Sequence, residues 1–446
     1  MKNLARRISM LGAFGLAACG SDPVAPGPMT FEVTIENVFE HFALSSAGVF
    51  NTPVGAMDPG PLAAGNSYEF EFTAAPGSKL YFATMFVQSN DFFYAPNGDG
   101  IDLFTAGGAQ VTGDVTAQVM LWDSGHEVNQ EPGAGPDQAP RQAGGDTGAA
   151  DDDTTVRMAP DTFNNLPATT DVIKVTLTST GETSFKLAIE NIAAATALMT
   201  AAGDNAPFLL APGAWAVSKG DTDILFTSGQ ADGGSGLEAL AEDGDPSDLL
   251  ATLEALVGLT SPIAPGVWAV HTEPNPLFDG GSPDRGNGLE ALAEDGNPAS
   301  LASSLAGQGG VVEAGSFAVP TGGTGPAPAF PGESYSFQVT ANPGDFLSFA
   351  TMLVQSNDLF FAPVGQGISL FGNNNMPVTV DVTALVMLWD AGTEVNEEPG
   401  IGLNQAPRQA AGNTGVTENG NVQLVNDSFS YPDVPDMIRV TIRPIQ

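Results

Sequence analysis

The strongest constraint on this chain is that it repeats itself. YFATMFVQSNDFFYAPNGDGIDLF at 81–104 returns as SFATMLVQSNDLFFAPVGQGISLF at 348–371, and the match runs on through Trp122 and Trp389 to QAPRQA at 138 and 405. The copies begin alike, with TFEVTIENV at 30 and SFKLAIENI at 184, and end alike, with VIKVTLTS at 172 and MIRVTIRP at 437. One unit is therefore folded twice, which suits a chain of 446 residues. The boundary is expected near 180, giving domains at 29–180 and 181–446. Inside the second copy lies another duplication, LAPGAWAVSKGDTDILF to SGLEALAEDGDP at 210–246 and IAPGVWAVHTEPNPLF to NGLEALAEDGNP at 263–298. The first copy lacks this block, so it reads as a degenerate version and the second as a full version with an insertion.

Apolar residues alternate with period two at Phe31, Val33, Ile35, at Tyr68, Phe70, Phe72, at Ile173, Val175, Leu177 and at Tyr335, Phe337, Val339. Short alternating strands divided by Gly, Pro and Asn turns predict an all-β protein, tandem antiparallel β-sandwiches with a few short helices inserted in the second. The helices are GLEALAED and its twin, where Leu237 with Leu240, and Leu289 with Leu292, share a face. Gly244 and Gly296 supply the C-terminal stops, and Asp245-Pro246 and Asn297-Pro298 open a second small helix each. These helices are expected to plug an end or flank of a sandwich.

With 13 Lys plus Arg against 52 Asp plus Glu, the formal charge is -39, while 42% of residues are hydrophobic. Such a chain can build cores, unlike a charge-rich disordered one. Its surface repels nucleic acid and anionic membrane and attracts cations. The first residues carry Lys2, Arg6 and Arg7 and then an apolar run from Ile8 to Ala18, too short for a membrane span. This predicts an export signal over 1–19. Leu16-Ala17-Ala18-Cys19 resembles the bacterial lipoprotein processing box, which implies lipidation of Cys19 and a tether at 20–28 containing Pro23, Pro26 and Pro28. Gly20 and Ser21 follow without an aspartate, which by analogy points to an outer membrane lipoprotein facing the periplasm or the cell surface. Without Cys19 the chain holds no thiol, so its domains fold without disulfides.

The carboxylates carry the chemistry. Asp358 lies in a Ser-Asn-Asp turn after one strand, and Asp390 and Glu394 flank a glycine turn after another. If these strands end on the same side, three carboxylates converge and repel one another unless a cation sits among them. Oxygen ligands without His or Cys select calcium or magnesium, and flexible loops favour calcium. Asp91, Asp123 and Glu127 repeat the set in the first copy. In the competing reading each aspartate caps its own turn. His126 reads as a surface residue, Glu131, Glu397 and Glu398 as solvated charge, and Asp151 to Asp153 as a flexible solvated loop. Trp215 and Trp268 are either core residues or a ligand face shared with the helices.

APGVWAVH, GLEALAEDGNPASLASSL, SFATMLVQSNDLFF and LWDAGTE, in this order, resemble the spondin N-terminal domain. All blocks are present over 184–446, and only the strand and corner blocks over 30–180. The resemblance implies an antiparallel β-sandwich similar to calcium-dependent lipid-binding sandwiches, calcium held in loops at one end, and a role in adhesion or recognition without enzymatic activity. The expectation is a surface-anchored, calcium-binding module with an unknown extracellular protein or glycan as ligand. The alternatives are a carboxylate-based glycan hydrolase and a structural cell-envelope protein. No Gly-x-Ser-x-Gly elbow or phosphate-cradling glycine loop supports an enzyme.

Overall fold

A computed structural model describes residues 27–159, 163–372 and 375–445. The signal at 1–19, Cys19 and all but the end of the tether at 20–28 lie outside them. The strands are β1 (Met29–Asn37), β2 (Leu44–Phe50), β3 (Ser67–Thr73), β4 (Lys79–Phe86), β5 (Phe92–Pro96), β6 (Val119–Asp123), β7 (Ile173–Ser179), β8 (Ser184–Asn191) and β9 (Leu210–Ser218). After helices α1 (Leu237–Asp243) and α2 (Ser247–Glu254) comes β10 (Ile263–His271), then α3 (Leu289–Asp295) and α4 (Ala299–Leu305). The chain closes with β11 (Val311–Phe317), β12 (Ser334–Ala341), β13 (Phe346–Leu353), β14 (Leu359–Pro363), β15 (Val386–Asp390) and β16 (Ile438–Ile445), all these strands meeting in antiparallel ladders.

Two sandwiches of the same design result, and the protein is all-β with short helices, as the alternation predicts. In the first, the sheet β3-β8-β7 faces the sheet β2-β9-β4-β5-β6, with one short strand completing each edge. In the second, β12-β1-β16 faces β11-β10-β13-β14-β15 in the same way. One apolar core lies between the sheets of each sandwich. A smaller one lies between the larger sheet and the helices, which form a third layer on its outer face.

The boundary expected at 180 is not where the sandwiches divide. β1 pairs on both sides with the far end of the chain, Val33 standing opposite Phe337 and Ile442. Residues 184–257 go the other way: β8 pairs with β3 and β7, and β9 inserts between β2 and β4. The two copies have exchanged their first strands. Each sandwich thereby receives one WAV strand and one helix pair, so the first is complete rather than degenerate, and the duplicated block is a part for each sandwich rather than an insertion in one.

Two physical causes select this pairing. The turn at 180–183 folds β8 back on β7, with Ser179 opposite Phe185, and so short a loop closes before any distant strand can compete. Charge points the same way. Glu32 and Glu36 on β1 pair with Arg443 and Arg439 on β16, while Lys186 on β8 meets Glu69 on β3 at 3.0 Å. Reversing the strands would set Lys186 opposite Arg443 and Glu32 beside Glu69, a like-charge penalty in each sandwich. Asn37 and Asn191, both fully buried, then play one role twice. Asn37 Nδ2 donates to the carbonyls of Ser261 and Ala329, each at 2.9 Å, and Asn191 Nδ2 to those of Leu62 and Phe208 at 2.9 and 3.0 Å.

The helices end where their glycines predict, Gly244 and Gly296 adopting φ of 68° and 64°. Asp245 and Asn297 each accept the backbone N–H two residues on, at 3.0 and 3.1 Å, opening the next helix. Trp215 and Trp268 belong to the inter-sheet cores and offer no ligand face. Trp215 stacks on Phe70 with centroids 5.1 Å apart, and Trp268 on Phe337 at 5.6 Å. Their indoles lie against Gly48 and Gly315, where an added Cβ would fall 2.8 and 2.9 Å from ring carbons. Gly315→Ala is accordingly expected to push Trp268 off its stack and cost about 1–3 kcal/mol. Denaturant titration of the variant would show this as a lower midpoint for the second sandwich, and an unchanged midpoint would mean that the ring has room to shift.

Candidate metal-binding corners

At one end of each sandwich, strands 5 and 6 of the first, and 14 and 15 of the second, bring the acidic residues together. Asp91 immediately precedes β5 and Asp123 ends β6, paired with Phe92. Asp358 and Asp390 occupy the same places beside β14 and β15. All six expected ligands are buried: Asp91, Asp123 and Asp358 are 0% exposed, and Glu127, Asp390 and Glu394 between 2% and 4%.

Much of their hydrogen-bonding capacity is spent on the corner itself. Asp358 Oδ2 accepts the N–H groups of Thr393 and Glu394 at 2.8 and 3.0 Å and the Thr393 hydroxyl at 3.0 Å. Asp390 Oδ1 accepts from Gly392 N at 2.6 Å, and its Oδ2 from Asn396 Nδ2 at 3.1 Å. Glu394 accepts from Gly415 N at 2.8 Å. Asp91, Asp123 and Glu127 are held in the same pattern by His126 N, Gly125 N and Gly148 N. The turn-capping reading describes Asp123 and Asp390, which accept the N–H two residues on, whereas Asp91 and Asp358 hold a turn that lies 35 residues away in the chain. Other oxygens are left over: Asp91 Oδ1 and Asp358 Oδ1 are buried without any hydrogen-bond partner. That is costly for a carboxylate unless a proton or a cation occupies the position.

The structure does not gather either expected triad at a single point. The one group of three acids among the described residues whose ligand atoms all lie within 4.8 Å of one another is Glu127, Asp146 and Glu242, which takes one member from the expected set. The aspartates instead sit in pairs. Burial, reinforced by Asp123, pushes Asp91 up to about 7, and burial with Asp358 alongside pushes Asp390 up to about 6.

The two corners differ in one charge. Arg157, opposite Asp123 on the neighbouring edge strand, bonds its Oδ2 at 2.9 Å and Asp151 at 2.7 Å. Asp153 completes the clamp at 3.6 Å, so Asp151 and Asp153 are tied to Arg157, while Asp152 is exposed as a solvated loop residue would be. In the second sandwich Gln423 stands opposite Asp390. Glu418, which has no guanidinium to meet, is raised by burial and by the charge of Asp390. Among the described residues, the first corner carries its own cation and the second does not.

Sequence reasoning missed the helix side of the site. Glu242 and Glu294, in the last turns of α1 and α3, are 3% and 1% exposed, and Oε1 of each has no partner. Burial pushes both up to about 8, with Glu127 and Glu394 respectively the first of the neighbouring carboxylates that add to it. The helical period turns these glutamates away from the leucine face, so amphipathicity could not find them. Their repetition in the two LAED segments was the available signal. QAPRQA also gains a role: Arg141 and Arg408 bond Gln88 and Gln355 at 2.9 and 2.8 Å, pinning the loop, while Gln142 and Gln409 reach Asp243 and Asp295 on the helices at 2.6 and 2.9 Å.

Among the described residues no helix is long and apolar enough to cross a membrane. Neither the known protein families nor the curated proteins provide a match to this chain.

Proposed function

We propose that this chain is a calcium-stabilised recognition or adhesion module, held to the outer membrane through Cys19, that presents its sandwiches to an extracellular protein or glycan. The carrying observation is the pair of equivalent, fully buried carboxylate oxygens, Asp91 Oδ1 and Asp358 Oδ1, with no hydrogen-bond partner. A hard cation at that position would satisfy them, and the oxygen-only donor set suits calcium. The resemblance to spondin domains, whose calcium lies in end loops, supports the same reading. The second corner is the better site, because Asp358, Asp390 and Glu418 have no basic partner among the described residues, where Arg157 serves the first. Against a glycan hydrolase stands the burial of these groups, since a carboxylate with no exposed surface does not reach a sugar ring.

A ligand that binds only the folded state raises stability by mass action, about 2.7 kcal/mol at one hundred times its dissociation constant. Calcium should therefore raise the melting temperature of the wild-type chain. Asp358→Asn, which removes the charge but keeps the shape, should abolish the rise in the second sandwich. An unchanged calcium titration in that variant would reduce Asp358 to a turn cap.

A further inference from the structure

Glu127, Asp146 and Glu242 come from three separate elements. Glu127 follows the corner turn and is oriented by Asn90 Nδ2, which donates to Oε2 at 3.0 Å, and by Gly148 N, which donates to Oε1. Asp146 lies on the loop after QAPRQA, in a left-handed conformation with φ of 52° that turns this short segment back toward the corner. Glu242 closes α1. One oxygen from each falls within 4.8 Å of the others. A cluster of acids alone would mean little, since this surface is acidic throughout. The independent observation is Glu242: it is 3% exposed, and its Oε1 has no hydrogen-bond partner. A buried carboxylate that faces two others, and whose Oε1 meets no donor among the described residues, favours positive charge at that point.

The surroundings point the same way. Above the group opens a cleft of about 450 Å³ lined by Asp146, Asp232, Glu238, Glu242, Asp243 and Asp248, with no lysine or arginine in its lining. Such a funnel concentrates cations at its floor. Arg157 is committed to Asp123, Asp151 and Asp153 and does not serve this group.

The second sandwich supplies an internal comparison. Glu394 and Glu294 match Glu127 and Glu242, but Asn413 replaces Asp146 and adopts the same left-handed conformation, φ 56°. Its amide donates to Glu290 at 3.0 Å, and no three-acid group forms there among the described residues.

We propose that Glu127, Asp146 and Glu242 form a second type of cation site, found in the first sandwich, that binds a hard divalent ion such as calcium and clamps α1 to the corner loop. It shares Glu127 with the ligand set expected at the first corner but requires neither Asp91 nor Asp123, and its test is separable from that of Asp358 in the second.

The test is isothermal titration of the full chain with calcium after chelator treatment, for wild type, Asp146→Asn, Glu242→Gln and Asp358→Asn. Asp146 is exposed, so its substitution reproduces the second sandwich without endangering the fold. Asp146→Asn and Glu242→Gln should lose the same binding event, weakened at least tenfold by the lost ligand charge, and should keep the event lost in Asp358→Asn. Calcium binding in Asp146→Asn indistinguishable from wild type overturns the proposal, whatever Asp358→Asn does. If Asp358→Asn retains every event while Asp146→Asn loses one, the corner reading fails and this one stands.

Discussion

Val33→Asp is expected to unfold residues 259–445 and to leave residues 44–257 folded. Val33 is 0% exposed at the centre of β1, between Phe337 and Ile442, so the variant places a carboxylate in the core of the second sandwich with nothing to pair it. Burying an unpaired charge in that position is among the largest effects a point substitution can have, more than about 4 kcal/mol. The first sandwich contributes no strand to that core and should survive. Leu187→Asp, at the equivalent place on β8, should do the reverse and unfold 44–257. Hydrogen exchange followed peptide by peptide reads both. If Val33→Asp instead released protection in 67–123, the copies would be folding as they are written in the sequence and the strand exchange would be wrong.

In calcium-free buffer the protein is expected to lose stability as pH rises from 5 to 8.5. The four buried carboxyls Asp91, Asp390, Glu242 and Glu294 are raised to about 7, 6, 8 and 8. The folded state therefore holds protons that the unfolded state has already released above its ordinary carboxyl range. Stability from a raised group is fully present below the unfolded value and is lost as pH passes through the folded one. The losses fall between about pH 4 and pH 8. All four groups act in the same direction, so their losses add across this window. Calcium should flatten the trend, because a divalent ion replaces those protons where they are scarcest. Melting temperatures across this range, with chelator and with calcium, decide it. A chelated protein more stable at pH 8 than at pH 5 would mean that the carboxyls find other partners.

Much of this was legible in the chain. Alternation at Phe31, Val33 and Ile35 marks a strand buried on one face, and Gly244 and Gly296 mark helix ends, because both signals are local. The corner residues were found for the same reason, each lying at the end of a strand whose repeat gave its position. Which β1 partner the fold selects was not legible from alternation. TFEVTIENV and SFKLAIENI carry the same pattern, and the decision rests on a hairpin and on charges at Glu32 and Lys186 that matter only once the neighbours are known. Trp215 left two readings open, and its stack on Phe70 settles them for the core. Arg157, distant in sequence from Asp123, could be matched to it only through the sheet.

The exchange of strands also decides how the protein carries load. Thr30 stands opposite Ile445, and Asn37 at the other end of β1 leads out toward β2. The first sandwich is spliced between β1 and β10 by two adjacent linkers, with Phe42 N donating to Thr260 Oγ1 at 2.9 Å and that hydroxyl to the Glu40 carbonyl at 2.9 Å. A pull on residue 29 toward the N-terminal side therefore arrives along the axis of β1. It is resisted in shear by the ladders to β12 and β16, where many hydrogen bonds must break together. The first sandwich hangs beyond this clamp as a loop closed at its own base. A load that enters at residue 29 is therefore borne by the second sandwich and does not pass through the core of the first.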